Sequence, residues 1–173
     1  MPDIAIPAPY VAERHSVRKE WIDLNGHMNL AYYLVVFDQS FDDAYELIGI
    51  TPAHLKEEQG STFAAEMHIT YQREVMEGDP LRVTTQMLAH DDKRMHWIQC
   101  MYHRREGYLA ATAEWLILYM HLGRRRVALF PDRLSRRLEQ IRMAHALLPL
   151  PPEVGRKIDI ANRPPRAKGA TGA

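Results

Sequence analysis

The clearest pattern along the chain is a helical repeat of apolar residues that begins just after Asn29. Apolar side chains recur at spacings of three and four, at Leu30, Tyr33, Leu34, Phe37, Phe41, Ala44, Tyr45 and Ile48. This spacing predicts a long helix with one apolar face. Gly49 and Pro52 then end the repeat. Because the apolar stripe is wide, we expect the rest of the fold to wrap around this helix. A second, short helix is predicted over residues 52–59.

The chain then changes to a sheet-like pattern rich in Val, Ile, Tyr, Trp and Thr, which is typical of strands. The predicted strands cover residues 62–74, 81–90, 94–104 and 108–122. Short polar or Gly-containing connections separate them, which favours antiparallel hairpins and a four-stranded meander. A short strand over residues 15–22 precedes the long helix, and a basic amphipathic helix over residues 131–147 follows the sheet. One antiparallel sheet wrapped around one long helix, an α+β fold with an extra C-terminal helix, satisfies this order.

The length of 173 residues favours one domain, which we place at residues 1–148. Residues 149–173 are rich in Pro, Gly, Lys and Arg, so we predict an extended or disordered tail there. The last predicted strand is apolar on both faces around Trp115, and a small sheet leaves edges to be covered. We therefore expect a homodimer or a dimer of dimers.

Composition excludes several classes of function. Lys+Arg 22 and Asp+Glu 22 give a formal net charge of zero, so a general electrostatic grip on nucleic acid or an acidic membrane is not expected. The single cysteine, Cys100, excludes an intrachain disulfide and a Cys-rich zinc site. The histidines lack metal-binding spacing, so we predict no metal and no cofactor. The chain shows no signal peptide and no apolar run of membrane-spanning length, so a cytoplasmic location is expected.

The segment before the long helix carries the first candidate chemistry. Asp23, Asn25 and His27 alternate with other residues, and alternate side chains of an extended segment point the same way. A helix N-terminus presents unpaired N–H groups and a partial positive charge, which suits a developing oxyanion. A carboxylate, an amide and an imidazole beside such N–H groups are suited to acyl chemistry. Alternatively, these residues cap the helix, and the Asn-Gly pair forms a simple turn.

A second candidate is the segment Tyr71-Gln72-Arg73-Glu74 at the end of the first long strand. Adjacent residues of a strand face opposite sides, so one of Arg73 and Glu74 is expected to point inward. The alternative is a solvated strand end whose ion pairs contribute little energy.

The two segments together resemble hotdog-fold acyl thioesterases. Residues 23–29 match the D-x-N-x-H-x-N signature of plant acyl-ACP thioesterases and of bacterial relatives of the 4-hydroxybenzoyl-CoA thioesterase group, and residues 71–74 resemble their Y-x-R-E segment. The resemblance implies the hotdog fold, a dimer that shares its site across the interface, and hydrolysis of an acyl-CoA. The catalytic positions of the acyl-ACP enzymes carry over to Asp23, Asn25, His27 and Glu74.

The chain also departs from these relatives. Val75 stands where the plant enzymes have a cysteine, and Leu30 stands where other relatives have a histidine, so the resemblance favours a carboxylate mechanism. Asp23 would be the base or the nucleophile, Asn25 would orient water or the carbonyl, and His27 would place the substrate. Glu74, from the facing subunit, would be a second acid or base.

The substrate itself would contact main-chain N–H groups around the start of the helix and basic side chains that bind the phosphates of CoA. The residues predicted for the first role are Met28, Asn29 and Leu30. For the second role the candidates are Arg94, Lys93 and Arg124-Arg125-Arg126, of which we select Arg94. The alternative for each of these residues is a solvated loop.

Residues 66–71, 74–78 and 90–96 further resemble bacterial thioesterases of carnitine breakdown that act on betainyl-CoA. A quaternary ammonium group favours aromatic faces and a nearby carboxylate. Trp97, Tyr102 and Trp115 are candidates for such faces, although all three would serve equally well in a core. Two other functions stay open: an enoyl-CoA hydratase of the same fold, and an acyl-CoA-binding module without activity.

Overall fold

The structure is a computed structural model that describes residues 5–161. Its strands are β1 (Tyr10–Ser16), β2 (Gly60–Tyr71), β3 (Pro80–His90), β4 (Arg94–His103), β5 (Leu109–His121) and β6 (Arg126–Val127). Its helices are α1 (Leu30–Ile48), α2 (Pro52–Glu58) and α3 (Asp132–His145). Within residues 5–161, no helix has the length and apolar character needed to cross a membrane.

The predicted long helix is confirmed, and local side chains explain both of its ends. At the start of α1, the Asn29 side-chain oxygen accepts a hydrogen bond from the Ala31 main-chain N–H (3.0 Å), which is the typical action of an N-cap residue. At the end, Gly49 adopts a left-handed φ of 99° and donates its N–H to the carbonyl oxygens of Tyr45 and Glu46. The two shorter helices, α2 and α3, also lie where the sequence predicts them.

The sheet is antiparallel, with the strand order β1-β3-β4-β5-β2. The prediction of a four-stranded meander is wrong, because β2 pairs with β5 and only β3, β4 and β5 follow one another. The connection after β2 crosses to the β1 side, where Val17 and Gly78–Asp79 exchange main-chain hydrogen bonds. Turn residues in that connection show where a strand ends, but they do not show which strand lies next to it in the sheet. The strand β2 is therefore one edge of the sheet.

The predicted strand over residues 15–22 is also misplaced. Strand β1 begins at Tyr10, opposite Thr85 of β3, and ends at Ser16, opposite Pro80. Residues Lys19–Trp21 form a single 3-10 turn instead. The length of β3 decides these bounds, because β1 continues only as long as it has backbone partners.

The core lies between α1 and the inner face of the sheet. Phe37 and Phe41 of α1 are fully buried, and the Phe41 ring packs edge-on against Trp97 and Trp115, with centroids 6.0 Å and 5.4 Å away. Gln99 connects the two layers: its amide nitrogen donates to the Phe37 carbonyl (3.1 Å), and its oxygen accepts from the Trp115 indole N–H (2.9 Å). Buried polar atoms that are satisfied in this way hold the helix in one position on the sheet.

The C-terminal part covers further parts of the sheet. Residues Leu148–Glu153 lie over the outer face of β3 and β4, away from α1, and the Gly155 N–H donates to a carboxylate oxygen of Glu114 (2.7 Å). Residues 162–173 of the predicted tail lie outside the described residues. The domain boundary at residue 148 stays a prediction.

His145 at the end of α3 predicts a loss of stability in acid. Its Nδ1 accepts a hydrogen bond from the Met87 main-chain N–H, and its Nε2–H donates to the Pro7 carbonyl (both 2.8 Å). This arrangement needs the neutral ring, and burial lowers the pKa of His145 below its usual value. The unfolded chain therefore binds a proton first, and the stability contributed by His145 is present above its unfolded pKa and is lost as the pH falls below it.

We expect the free energy of unfolding, measured with urea, to decrease from about pH 7.5 to about pH 5.5. His145→Asn should be less stable at both pH values but should depend less on pH. Some pH dependence should remain in that variant, because burial also lowers the pKa of His54. An unchanged pH dependence in the variant would contradict the role of His145.

Candidate active site

A short paired loop holds Asp23 beside the N-terminus of α1. Ile22 and Met28 form a β-bridge, and the Asp23 N–H donates to the His27 carbonyl (3.1 Å). The Asn29 N–H then donates to the Trp21 carbonyl (2.9 Å). Since Asn29 is the N-cap of α1, these bonds tie the position of Asp23 directly to the first turn of the helix.

The Asp23 carboxylate is half-buried and only partly used within the loop. Its Oδ1 accepts the Asn25 main-chain N–H (2.8 Å), and its Oδ2 lies 3.5 Å from the Asn25 side-chain nitrogen. Gly26, with a φ of 82°, closes the turn. The side chains of Asp23 and Asn25 therefore meet through a turn, and not through the extended backbone that we expected. The weak Oδ2 contact leaves this oxygen able to accept a proton or to attack an electrophile.

His27 lies on the opposite arm of this loop and is half-buried. Its Nδ1 is 3.4 Å from the Met28 carbonyl oxygen. Within residues 5–161, no hydrogen bond joins the ring to the carboxylate of Asp23 or Glu74. The imidazole is thus available to a ligand beside the loop.

The start of α1 offers one free main-chain donor. The alternative that Asp23 or Asn25 caps the helix does not hold, because the Asn29 side chain is the cap. The Met28 N–H is occupied by the Val75 carbonyl (2.9 Å), and the Asn29 N–H is occupied by Trp21. Of the three predicted N–H donors, Leu30 is the one without a partner in the described part of the chain. Leu30 is 65% exposed, so its N–H faces a region that a substrate can reach.

The structure brings the second sequence segment to the same place. Val75 is buried and accepts the hydrogen bond from Met28. The Tyr71 ring packs edge-on against the buried ring of Tyr33 (5.2 Å between centroids), and its hydroxyl lies 3.5 Å from the Leu30 carbonyl. Burial raises the pKa of Tyr33 to about 12, so the Tyr33 hydroxyl stays protonated. Tyr33 was recognised from the sequence only as a core residue, since the helical repeat gives no sign of its neighbours.

The expectation that Arg73 or Glu74 points inward is wrong. Strand β2 ends at Tyr71, both side chains are exposed, and Val75 turns inward instead. The Glu74 carbonyl accepts the Tyr108 hydroxyl (3.0 Å), and the Arg73 guanidinium lies over the Tyr108 ring (3.9 Å to the centroid). The Glu74 carboxylate therefore faces outward, near the Asp23 loop along the backbone but not in contact with it.

A groove lies between α1 and β2 and begins at Ala31, the residue after Leu30. It has a volume of about 470 Å³. Its α1 wall consists of Ala31, Leu34, Val35 and Asp38, and its sheet wall of Ala64, Ala65, Glu66, Met67 and Trp115. A second concavity of about 320 Å³ shares Asp38, Ala64 and Trp115 and continues towards α2. Partial burial and the neighbouring Asp42 raise the pKa of Asp38. Only the packing of β2 creates this groove, so the helical pattern alone could not single out Asp38.

The structure does not bring Arg94 to this site within one chain. Arg94 lies opposite Leu118, whereas Tyr71 lies opposite Ala111, so about 23 Å of strand separates the two ends at about 3.3 Å per residue. The guanidinium is bound to Asp91 (Nε to Oδ2, 2.7 Å) and lowers the pKa of that carboxyl. Arg124 and Arg125 lie in the exposed turn between β5 and β6, and Arg126 is the exposed first residue of β6.

The suggested aromatic faces for a quaternary ammonium do not converge. Trp97 and Trp115 are directly opposite each other on the inner face of the sheet and are buried against Phe41. Tyr102 lines a cavity on the outer face. Tyr102 is five positions after Trp97, and an odd separation of this kind puts the two side chains on opposite faces of β4. Among the described residues, no group of three or more His, Cys, Asp or Glu side chains could hold a metal ion.

The sequence matches a thioesterase-like family model and a curated thioesterase. Residues 17–138 match the model of the thioesterase-like superfamily. The chain is 36% identical over 144 residues to the betainyl-CoA thioesterase of Pseudomonas aeruginosa, covering 83% of this chain and 91% of that protein.

Two solved structures share the fold over nearly the whole described chain. A Staphylococcus aureus protein solved in complex with CoA is 26% identical, with a TM-score of 0.79, and covers 88% of this chain and 94% of its own. A thioesterase candidate from Pseudomonas putida KT2440 is 27% identical, with a TM-score of 0.73, and covers 90% of this chain and 99% of its own. The chain therefore belongs to the thioesterase-like superfamily, and its antiparallel sheet around α1 is the hotdog fold.

Proposed function

We propose that Asp23 drives the reaction that family membership assigns to this chain, the hydrolysis of an acyl-CoA thioester to a free acid and CoA. The single observation that carries this proposal is the fixed position of the Asp23 carboxylate beside the open N-terminus of α1, where the groove begins. A carboxylate there can act on a carbonyl whose oxygen receives the Leu30 N–H.

Two routes use the same atoms. As a base, Asp23 takes a proton from water, the water oxygen bonds to the carbonyl carbon, and the C–S bond breaks as the proton passes to the sulfur of CoA. As a nucleophile, an Asp23 oxygen bonds to the carbonyl carbon, the C–S bond breaks and CoA leaves as the thiolate, and water then hydrolyses the resulting anhydride to the free acid and the Asp23 carboxylate. In either route Asn25, whose amide lies beside Oδ2, would orient the water or the carbonyl. His27 would contact the substrate, and the partner copy would supply Glu74.

We propose a short cationic acyl group, such as betainyl, as the substrate class. The relative from Pseudomonas aeruginosa bears the name of a betainyl-CoA thioesterase. In this chain, the Asp38 carboxylate lies in the groove wall and makes the groove negative, and such a field concentrates cations. The rest of the groove wall is mostly small or apolar, which suits methyl groups around a buried charge.

The test is the release of CoA thiol from a panel of acyl-CoAs. It should include betainyl-CoA, its uncharged isostere 3,3-dimethylbutyryl-CoA, and short-chain, long-chain and aromatic members. We expect turnover of betainyl-CoA with a kcat/KM at least about tenfold above that of the isostere, because one desolvated charge pair is worth this much. Loss of enoyl absorbance from an enoyl-CoA added to the panel, without thiol release, would indicate a hydratase, and binding without turnover would indicate a silent module. Either result contradicts the proposed reaction.

We further propose that the site works in a homodimer formed at the β2 edge. Strand β2 has twelve residues and pairs on one side with β5, so its other side offers backbone groups to a second chain. Phe63 of β2 and Leu30 and Leu34 of α1 are exposed apolar residues beside that edge. A pair of copies joined there would cover them and close the groove.

A cytoplasmic location stays a prediction.

The dimer predicts a specific response to charge at this edge. Phe63→Glu should shift the solution mass from twice the 20.0 kDa chain mass towards a single chain, because a carboxylate cannot be buried there without a partner. Light scattering after size-exclusion chromatography measures the mass. Met143→Glu changes an exposed apolar residue on α3, which is 61% exposed against 40% for Phe63, and should leave the dimer intact. A monomeric unmodified chain, or a dimeric Phe63→Glu variant, would contradict this interface.

A further inference from the structure

A cavity of about 380 Å³ lies on the outer face of the sheet, away from α1 and from the Asp23 loop. Its floor consists of three cross-strand pairs of β3 and β4, namely Arg82 with Tyr102, Thr84 with Cys100, and Gln86 with Ile98. Residues 148–153 cover it as a roof. Because the roof follows α3, this cavity exists only while the C-terminal segment lies on the sheet.

The roof brings an unpartnered carboxylate into the cavity. Glu153 is only 6% exposed. Its Oε2 is fully buried and has no hydrogen-bond partner in the described part of the chain. A buried carboxylate oxygen without a donor is strongly unfavourable, so such an atom indicates a missing partner.

The nearest polar groups of the floor do not supply that partner. Burial, with a smaller contribution from Glu153, raises the pKa of the Cys100 thiol to about 11 and that of Tyr102 to about 12. Both groups are thus neutral near pH 7, and neither provides the positive charge that a buried carboxylate needs.

A cation lines the same cavity but does not pair with Glu153. The half-buried Arg82 guanidinium stacks over the Tyr102 ring, 5.1 Å from its centroid. Among residues 5–161, no carboxylate lies within ion-pair distance of Arg82, Glu153 included. The cavity therefore presents one unpaired negative and one unpaired positive group, both close to Tyr102.

We propose that this outer cavity binds a zwitterion of the α-amino-acid type with an apolar side chain. The ammonium group donates a hydrogen bond to Glu153 Oε2, the carboxylate binds the Arg82 guanidinium, and the apolar part packs against Ile98, Leu109 and the prolines of the roof. A simple cation would leave Arg82 unpaired, and a simple anion would leave the Glu153 oxygen without a donor. This site goes beyond the proposed function and does not depend on Asp23.

The test is isothermal titration calorimetry of the full chain with three related compounds. L-phenylalanine carries both charges, 3-phenylpropionate lacks the ammonium group, and 2-phenylethylamine lacks the carboxylate. We expect L-phenylalanine to bind at least about tenfold more tightly than either of the others, because each lost charge leaves one protein group unpaired. Equal affinities, or no binding of L-phenylalanine, would overturn the proposal.

Two variants assign the charges. Glu153→Gln should weaken L-phenylalanine binding at least about tenfold and leave 3-phenylpropionate unaffected, whereas Arg82→Gln should weaken L-phenylalanine and leave 2-phenylethylamine unaffected. The matched control is Glu57→Gln, which removes an exposed carboxylate of α2 and should leave the binding of all three compounds unchanged. Unaltered L-phenylalanine binding in both cavity variants would place the ligand elsewhere and overturn the assignment.

A second measurement does not depend on any variant. Cys100 is the only cysteine of the chain and lies in the cavity floor, so L-phenylalanine should slow its reaction with a thiol reagent severalfold, and 3-phenylpropionate should not. An unchanged reaction rate would again contradict a ligand in this cavity. Thioester hydrolysis by Glu153→Gln should equal that of the unmodified chain, which separates this site from the proposed active site.

Discussion

Asp23→Asn is expected to lower kcat for acyl-CoA hydrolysis by about 10²- to 10⁴-fold, the range typical for loss of a general base or nucleophile. The substitution removes the charge but keeps a side-chain oxygen that can accept the Asn25 N–H, which Asp23 Oδ1 accepts at 2.8 Å. The paired loop and its link to α1 should therefore survive. Thiol release gives kcat, and the unfolding midpoint in urea shows whether the fold is intact.

The control for this prediction is Asp42→Asn. Asp42 is an exposed carboxylate of α1 whose contact with Arg14 is long (3.7 Å), and a surface ion pair of this kind is worth little. Its kcat should stay within about twofold of the unmodified chain. If Asp23→Asn and Asp42→Asn behave alike, Asp23 has no direct part in the reaction. Asp23→Ala should lose as much activity, but it should also loosen the loop.

Phe41→Ala is expected to have the largest effect on stability, a loss of about 3–5 kcal/mol in the free energy of unfolding. Phe41 is only 1% exposed and touches both Trp97 and Trp115. Truncation would leave a cavity between α1 and the inner face of the sheet that rigid neighbours cannot fill. The midpoint and slope of urea unfolding give the free energy.

Leu147→Ala is the matched control, since this apolar residue after α3 is 90% exposed. Its effect should be within about 0.5 kcal/mol, as for most surface substitutions. A loss below about 1 kcal/mol for Phe41→Ala would contradict the packing of α1 on the sheet. A preserved fold in this variant would also let its effect on kcat be compared with that of Asp23→Asn.

The sequence was informative where a local pattern has one physical meaning. The repeat from Leu30 to Ile48 matches one face of a helix, and Asn29 and Gly49 lie where a cap and a left-handed turn are needed, so the bounds of α1 follow from neighbours along the chain. The runs that became β3, β4 and β5 were recognised for the same reason. The pairing of β2 with β5 was not, because strand order depends on contacts between distant segments.

The candidate site shows the same division. Asp23, Asn25 and His27 could be selected by their spacing and by the resemblance of their segment to known thioesterases. The actual contacts were not predictable: Met28 and Asn29 donate their N–H groups to Val75 and Trp21, which leaves Leu30 as the open donor. These two partners, Val75 and Trp21, lie in segments that only the folding of the chain brings next to Met28 and Asn29.

By itself, the sequence determined the α+β class, the long helix, most strands and the segment that carries the candidate carboxylate. Periodicity, caps and turn residues act over a few positions, so their physical consequences can be read along the chain. The tertiary structure alone decided that β2 is an edge, that a groove with Asp38 lies beside it, and that Arg82 and Glu153 face one cavity without pairing. These features arise from which distant residues meet and which polar atoms lose water without gaining a partner, and no local pattern contains that information.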